Sequence, residues 1–199
     1  ILKEDLVPAH VRKFYYWMAP CLTMVPALLT CCVIPFGSEL DLSFLGVAEP
    51  IKLVIADLSV GPLFTFAIAS LGVYGIVLAG WASNSKYPFL GGVRASAQMI
   101  SYEISLGLSI IPVLMIFGEL NLTKISSFQD ANGWLLLPLW GEGLSVGRWV
   151  LLIPVFISFC VFTVSMFAET NRLPFDLAEC ETELVAGYHT EYSSMKFAL

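Results

Sequence analysis

Four apolar runs, at about 17–36, 53–81, 93–117 and 149–168, dictate what this chain can become. At 1.5 Å of rise per helical residue, each is long enough to cross roughly 30 Å of hydrocarbon. Within lipid the backbone must satisfy its own hydrogen bonds, so a spanning segment is a helix or part of a closed barrel. Barrel strands alternate apolar and polar residues over about ten positions. These runs are longer and do not alternate. The chain therefore reads as an all-α polytopic membrane protein with about four complete transmembrane helices, and a fifth is expected to start near Phe197. Composition agrees. Hydrophobic residues make up 57% and charged residues 13%, the latter about half the soluble norm. That excludes a single soluble core, and a disordered chain would need the opposite bias.

The connections differ in character. The N-terminal piece from Lys3 to Lys13 is expected to lie as an amphipathic segment at the membrane interface. The loop 37–52 carries Glu39, Asp41 and Glu49, and 82–92 reads as a short turn-rich loop. The stretch 118–147 is long, with an amphipathic piece over 120–128 and then Trp134 and Trp140, residues suited to an interfacial belt. Alternating the sides puts Lys3, Arg12, Lys13, Lys86, Arg94, Arg172 and Lys196 together, against Lys52, Lys124 and Arg148. The positive-inside rule then makes the first side the inner one. The chain opens on Ile and closes on an apolar Phe-Ala-Leu. The expectation is one membrane domain over 1–199, a fragment of a longer protein, without internal repeats.

Several chemistries lack support. No basic run or basic helix face suggests nucleic acid. The five cysteines, Cys21, Cys31, Cys32, Cys160 and Cys180, are mostly inside apolar runs and form no C-x-x-C pair. They read as small apolar residues, with neither a disulfide framework nor a metal site. His10 and His189 are single and lack metal-ligand spacing. His189 is near Tyr188, Glu191 and Tyr192 in sequence, where a hydrogen-bonding role and a plain surface position are both open.

Chemistry concentrates in carboxylates. Glu103 is ten residues into the third run, with Tyr102 and Ser105 as polar companions. A charge at mid-membrane costs at least about 2.5–3.5 kcal/mol, so such a group is paired, or kept neutral, in a polar cavity. A proton-carrying role and a purely structural acid are the two readings. Arg94 opens the same run and either snorkels to the interface or pairs with an acid on its side. Asp57 reads as a helix-start residue. An acidic inner-side loop follows over 169–195. Six of the sixteen acids fall there (Glu169, Asp176, Glu179, Glu181, Glu183 and Glu191), with Arg172 among them. Pro174 suits a helix start and Gly187 a stop, predicting a short helix over 174–186. On it Asp176, Glu179 and Glu183 would share a face and Glu181 would point away. Like charges at that spacing disfavour joint ionisation, so their titrations would be coupled. The interleaved Leu173, Phe175, Leu177, Leu184 and Val185 argue against a freely solvated loop.

Two segments carry a family resemblance: GWASNSKYPFLGGVRASAQMISYEISLGL (80–108) and AETNRLPFDLAECETELVAGYHTEYSS (168–194). Both resemble the quinone-site membrane protein of respiratory complex I, named subunit 1 in mitochondria and the H subunit in bacteria. The opening ILKEDLVPAH resembles the family's segment before its second span. The likeness covers essentially the whole chain, and the chain about the middle of the family's sequence. Cys180 stands where small residues are usual, and Met195-Lys196 where a Gly often follows.

The resemblance implies a part in NADH:ubiquinone reductase, an H+-translocating enzyme, with no redox centre on this chain. Iron–sulfur clusters and FMN would belong to partner subunits, ubiquinone would be the substrate, and nothing would be bound covalently here. Phe197, Arg94, Arg172, Phe175 and Asp176 would contact quinone. Glu103, Glu169, Asp176, Glu179, Glu181, Glu183, Glu191 and Tyr192 would form the acidic proton path. Partners would be the peripheral-arm quinone module, the antiporter-like membrane-arm subunits and membrane lipids. The implied location is the mitochondrial inner membrane or a bacterial cytoplasmic membrane, with the acidic loop on the matrix or cytoplasmic side. The alternatives are a homologous membrane component of a proton-pumping hydrogenase-type complex, a secondary transporter, or a passive scaffold.

Overall fold

A computed structural model describes residues 7–37, 39–40, 51–135, 146–178 and 181–193. The start of the N-terminal segment, Trp140, Glu179, Cys180 and the expected fifth span at Phe197 lie outside these residues. The helices are α1 (Lys13–Cys31), α2 (Gly61–Ala69), α3 (Gly72–Ala82), α4 (Lys86–Phe117), α5 (Leu122–Asn132), α6 (Val146–Glu169) and the one-turn α7 (Glu181–Leu184), then a 3₁₀ turn at Gly187–His189. Apart from the helices there is a two-residue antiparallel pairing of β1 (Glu39–Leu40) with β2 (Ile51–Lys52). Four helical segments are long and apolar enough to cross a membrane: Lys13–Cys31, Gly61–Ala82, Lys86–Phe117 and Trp149–Glu169. The protein is an all-α, multi-pass membrane protein.

The spans pack in a row, α1 on α3, α3 on α4 and α4 on α6. With lipid as apolar as the side chains, close backbone approach at small residues holds such helices together. Gly75 lies against Thr23 and the Ala19 carbonyl of α1, and Gly80 lies against Gly92 and the Pro88 carbonyl of α4. Where α6 meets α4, the buried Ser158 hydroxyl donates to the Ser109 carbonyl. Large apolar residues such as Ile104, Leu108 and Met115 on α4, and Ile153, Phe156 and Ile157 on α6, remain exposed on faces suited to lipid.

Three boundaries differ from expectation. The second span does not begin at 53. Its helix starts at Gly61 and is interrupted at Ser70-Leu71. Pro62 lies in the first turn of α2, where a missing N–H costs nothing. Residues 53–58 are instead fixed by pairing: the Phe36 and Ala56 N–H groups donate to the Leu53 and Cys32 carbonyls. Asp57 is not a helix start either. Its Oδ1 accepts from Asn121 Nδ2 at 2.8 Å and Thr123 Oγ1 at 3.2 Å, tying this segment to the start of α5.

The expected loop 82–92 contracts to Ser83–Ser85, and α4 runs 32 residues from Lys86. Pro88 falls within the first turn. Gly91 and Gly92 suggest a turn by composition, but both are packing glycines inside the helix. At 1.5 Å per residue α4 spans about 48 Å, so it outreaches the hydrocarbon and its first turns form a post beyond it.

The third correction concerns the acidic loop. No helix forms over 174–178, and only Glu181–Leu184 makes one α turn. Asn171 adopts a positive φ of 50°, the Leu173–Pro174 peptide is cis, and Val185 also has a positive φ of 68°. The backbone bonds that a helix would use go elsewhere: the Arg172 N–H donates to the Phe167 carbonyl and the Phe175 N–H to the Arg172 carbonyl. Asp176 and Glu183 therefore do not share a helical face.

Candidate functional site

The starts of α1 and α4 and the ends of α3 and α6 meet at one end of the bundle, and 170–178 and 181–193 fold back over them. Gly91 is the seat of this fold-back. A Cβ placed there would lie 2.7 Å from the Tyr188 N and 2.8 Å from the Gly187 Cα, so only glycine admits the 3₁₀ turn. Ala178 and Leu184 are buried, Ala178 in a cluster with Ile76 and Ala95. The apolar residues interleaved among the acids are thus split: Leu184 turns inward, while Leu173, Leu177 and Val185 are exposed.

Glu103 lies near the middle of α4 and is half-buried. Its carboxyl faces the Ser70 hydroxyl. Ser70 belongs to the interruption between α2 and α3, where the Leu71, Val73 and Tyr74 N–H groups donate to the Ile68, Ser70 and Leu71 carbonyls. These are i→i+3 bonds, a tight 3₁₀-like turn of the kind that marks functional hinges inside helices. Glu169, at the last position of α6, is close enough to Glu103 for their charges to interact. Tyr102, the neighbour of Glu103, meets the Phe175 ring edge-on at 5.5 Å between centroids. Asp176 follows, with a buried Oδ1 that has no hydrogen-bond partner among the described residues.

Arg94 takes the pairing role. Its Nη1 donates to Glu183 Oε2 at 2.9 Å. Both side chains are about half exposed, at 47% and 61%, so the pair steers the loop more than it stabilises it. Arg172, the other expected counter-charge, is exposed and makes no ion pair among the described residues. Glu181 is in α7, and its side chain, like Glu179 and Phe197, is outside what the structure describes.

Glu191 and Tyr192 lie apart from that cluster, against the start of α1. The Tyr192 and Tyr16 rings stack 4.3 Å apart at 9°. The Tyr16 hydroxyl donates to the Glu191 carbonyl at 2.8 Å. Glu191 Oε1 is 3.5 Å from Nε2 of His10, so His10, distant in sequence, is a histidine beside this acid. His189 packs its ring 3.8 Å from that of Tyr188. Burial, followed by the neighbouring Tyr16, pushes the Tyr192 phenol up.

One organising residue carries no signal in the sequence. Gln98 Nε2 donates to the Ala168 carbonyl at 2.6 Å, the Phe175 carbonyl at 2.9 Å and Asn171 Oδ1 at 3.1 Å. An apolar cavity of about 650 Å³, lined by residues such as Pro62, Phe66, Val113, Leu122 and Phe159, is near the opposite end. Among the described residues, none of those expected to touch quinone lines it.

Two carboxylates at mid-span and helix end, a buried aspartate oxygen and an acidic segment tied to α4 thus gather where α4 and α6 meet. The NADH dehydrogenase family model matches residues 1–199. The chain belongs to that family. It is 47% identical over 205 residues to the second of the NADH-quinone oxidoreductase H subunits of Koribacter versatilis, covering 100% of this chain and 54% of that protein. To the H subunit of the same enzyme in Pelagibacter ubique the identity is 46% over 199 residues, with 100% and 51% covered. To that of Rickettsia prowazekii it is 50% over 199 residues, with 100% and 50% covered. The chain thus spans about half the length of these relatives, and the match places it with the complex I membrane proteins of the mitochondrial subunit 1 and bacterial H type.

Proposed function

We propose that this chain forms part of the quinone tunnel of a proton-pumping NADH:ubiquinone oxidoreductase, together with the start of the acidic path that couples quinone reduction to proton movement. The observation that carries the reading is the approach of Glu169 to Glu103 at the α4–α6 contact, with the Phe175–Asp176 segment set against Tyr102 beside Glu103. Quinone takes up two electrons and two protons to become quinol, so its site needs positioned groups able to supply and replace protons. Iron–sulfur clusters and FMN on partner subunits would supply the electrons. Within this chain, the Phe175 ring and the Asp176 carboxyl contact the quinone head at the loop, and Arg94 holds Glu183 and hence α7 against the α4 post. Glu103 and Glu169 share protons across the α4–α6 contact, the hinge at Ser70 giving Glu103 a polar neighbour inside the membrane. The acidic loop faces the matrix or cytoplasm, where the peripheral arm would dock.

The test is Glu103→Gln in the intact complex. Quinone reduction coupled to proton uptake should fall at least about tenfold. NADH oxidation by a soluble artificial acceptor, which bypasses the membrane site, should stay near wild type. Unchanged coupled turnover would reject the proton-path reading and leave a passive scaffold.

A further inference from the structure

We propose that Gln98 is the positioning residue of this site: its single amide group sets where the Phe175–Asp176 segment lies relative to Tyr102 and Glu103. The inference rests on the quinone-site reading above for its kinetic consequence, but not for its geometry.

Three acceptors converge on Nε2, and two of them, the Ala168 and Phe175 carbonyls, are main-chain oxygens that can only accept. The NH₂ side of the amide must therefore face them. Two hydrogens serve three oxygens, so one is shared. The partners are the last turn of α6, the left-handed turn residue Asn171, and the residue just before Asp176. No other described side chain bonds α4 to both α6 and the loop beyond it. Gln98 and Tyr102 are four residues apart and so on one face of α4. Together they grip Phe175 at both ends, the amide at its carbonyl and the phenol ring at its ring edge, 5.5 Å away. Asp176 is then directed inward with a buried oxygen. A half-buried amide left without these acceptors would carry an uncompensated desolvation cost, so the arrangement holds from both sides.

Leucine matches glutamine roughly in size but cannot donate, while histidine keeps one ring N–H. In the full complex, Gln98→Leu should speed amide hydrogen exchange over 171–176 by about tenfold or more, because the tie that closes this segment is gone. It should raise the quinone KM about tenfold with kcat within about twofold, and leave NADH oxidation by a soluble acceptor unchanged. Gln98→His should recover most of both effects. Should Gln98→Leu fail to assemble, Asn171→Gly, which keeps the positive φ and removes one acceptor, carries the same test. Wild-type exchange over 171–176 in these variants overturns the proposal. So does faster exchange with an unchanged quinone KM where Glu103→Gln does lower coupled turnover, or equal loss of the quinone and artificial-acceptor rates. If instead exchange rises while Glu103→Gln is silent, the tie stands and the quinone-site reading falls.

Discussion

Tyr192 concentrates two residue-scale features, a desolvated phenol and a stacked aromatic partner, at the point where the acidic loop returns to α1. Burial holds its proton past pH 10, where an unfolded chain begins to release it. The folded state then binds more protons than the unfolded one, so stability is complete below about pH 10 and declines as pH rises beyond it. Tyr192→Phe keeps the stack but has no proton to lose. Thermal unfolding of the purified protein between pH 9 and 11.5 should show a shallower alkaline decline for the variant, and equal slopes would refute the assignment. Glu191 and Tyr192 stand out in the sequence because they belong to the acidic motif, though their packing against α1 does not. Tyr16 and His10 were not, since the Tyr16–Glu191 bond joins positions 175 apart and no local pattern marks an aromatic on an apolar helix as a loop anchor. Gln98 escaped for a similar reason: a lone amide in a span looks like a tolerated polar residue until its three acceptors arrive from elsewhere.

At the scale of elements, glycine decided where sequence reasoning failed. Gly91 and Gly92 signalled a turn, yet they mark the helix face on which α3 and the 3₁₀ turn at Gly187–His189 press closest. The same ambiguity governed the acidic loop. Pro174 and Gly187 frame a helix by the rules of capping, and the chain instead turns at Asn171, with Gln98 donating to the Ala168 and Phe175 carbonyls. The spans themselves were legible, because apolar length is a local property and lipid leaves the backbone few options. Two glycine substitutions separate packing from propensity. Gly91→Ala should destabilise by about 1–3 kcal/mol, as its Cβ would meet main-chain atoms that cannot yield. Gly107→Ala, with nothing within 4 Å of the added carbon, should be neutral or stabilise by about 0.5–1 kcal/mol. Denaturation midpoints of the two variants against wild type decide it, and a stable Gly91→Ala would mean the 3₁₀ turn is not seated on α4.

For the whole molecule the fold resolves into two ends with different side chains. One gathers Arg94, Gln98, Glu169, Asp176, Glu183 and Glu191. The other holds α5, the Lys124–Glu119 pair at 2.8 Å and the Asp57 hydrogen bonds to Asn121 and Thr123. Four crossings put Asn84 and Leu173 at the first end and Lys124 at the second, the same grouping that the seven-to-three division of basic residues gives. The proposed coupling requires the first end to face the compartment where NADH is oxidised, because protons consumed by quinone must be drawn from that side. Single cysteines introduced at Asn84, Leu173 and Lys124, with the native cysteines replaced, test this in intact bacterial cells carrying the full-length protein. A membrane-impermeant maleimide should label Lys124→Cys at once, and Asn84→Cys and Leu173→Cys only after permeabilisation. The reverse pattern would turn the acidic loop outward and remove the physical basis for joining quinone chemistry to this carboxylate path.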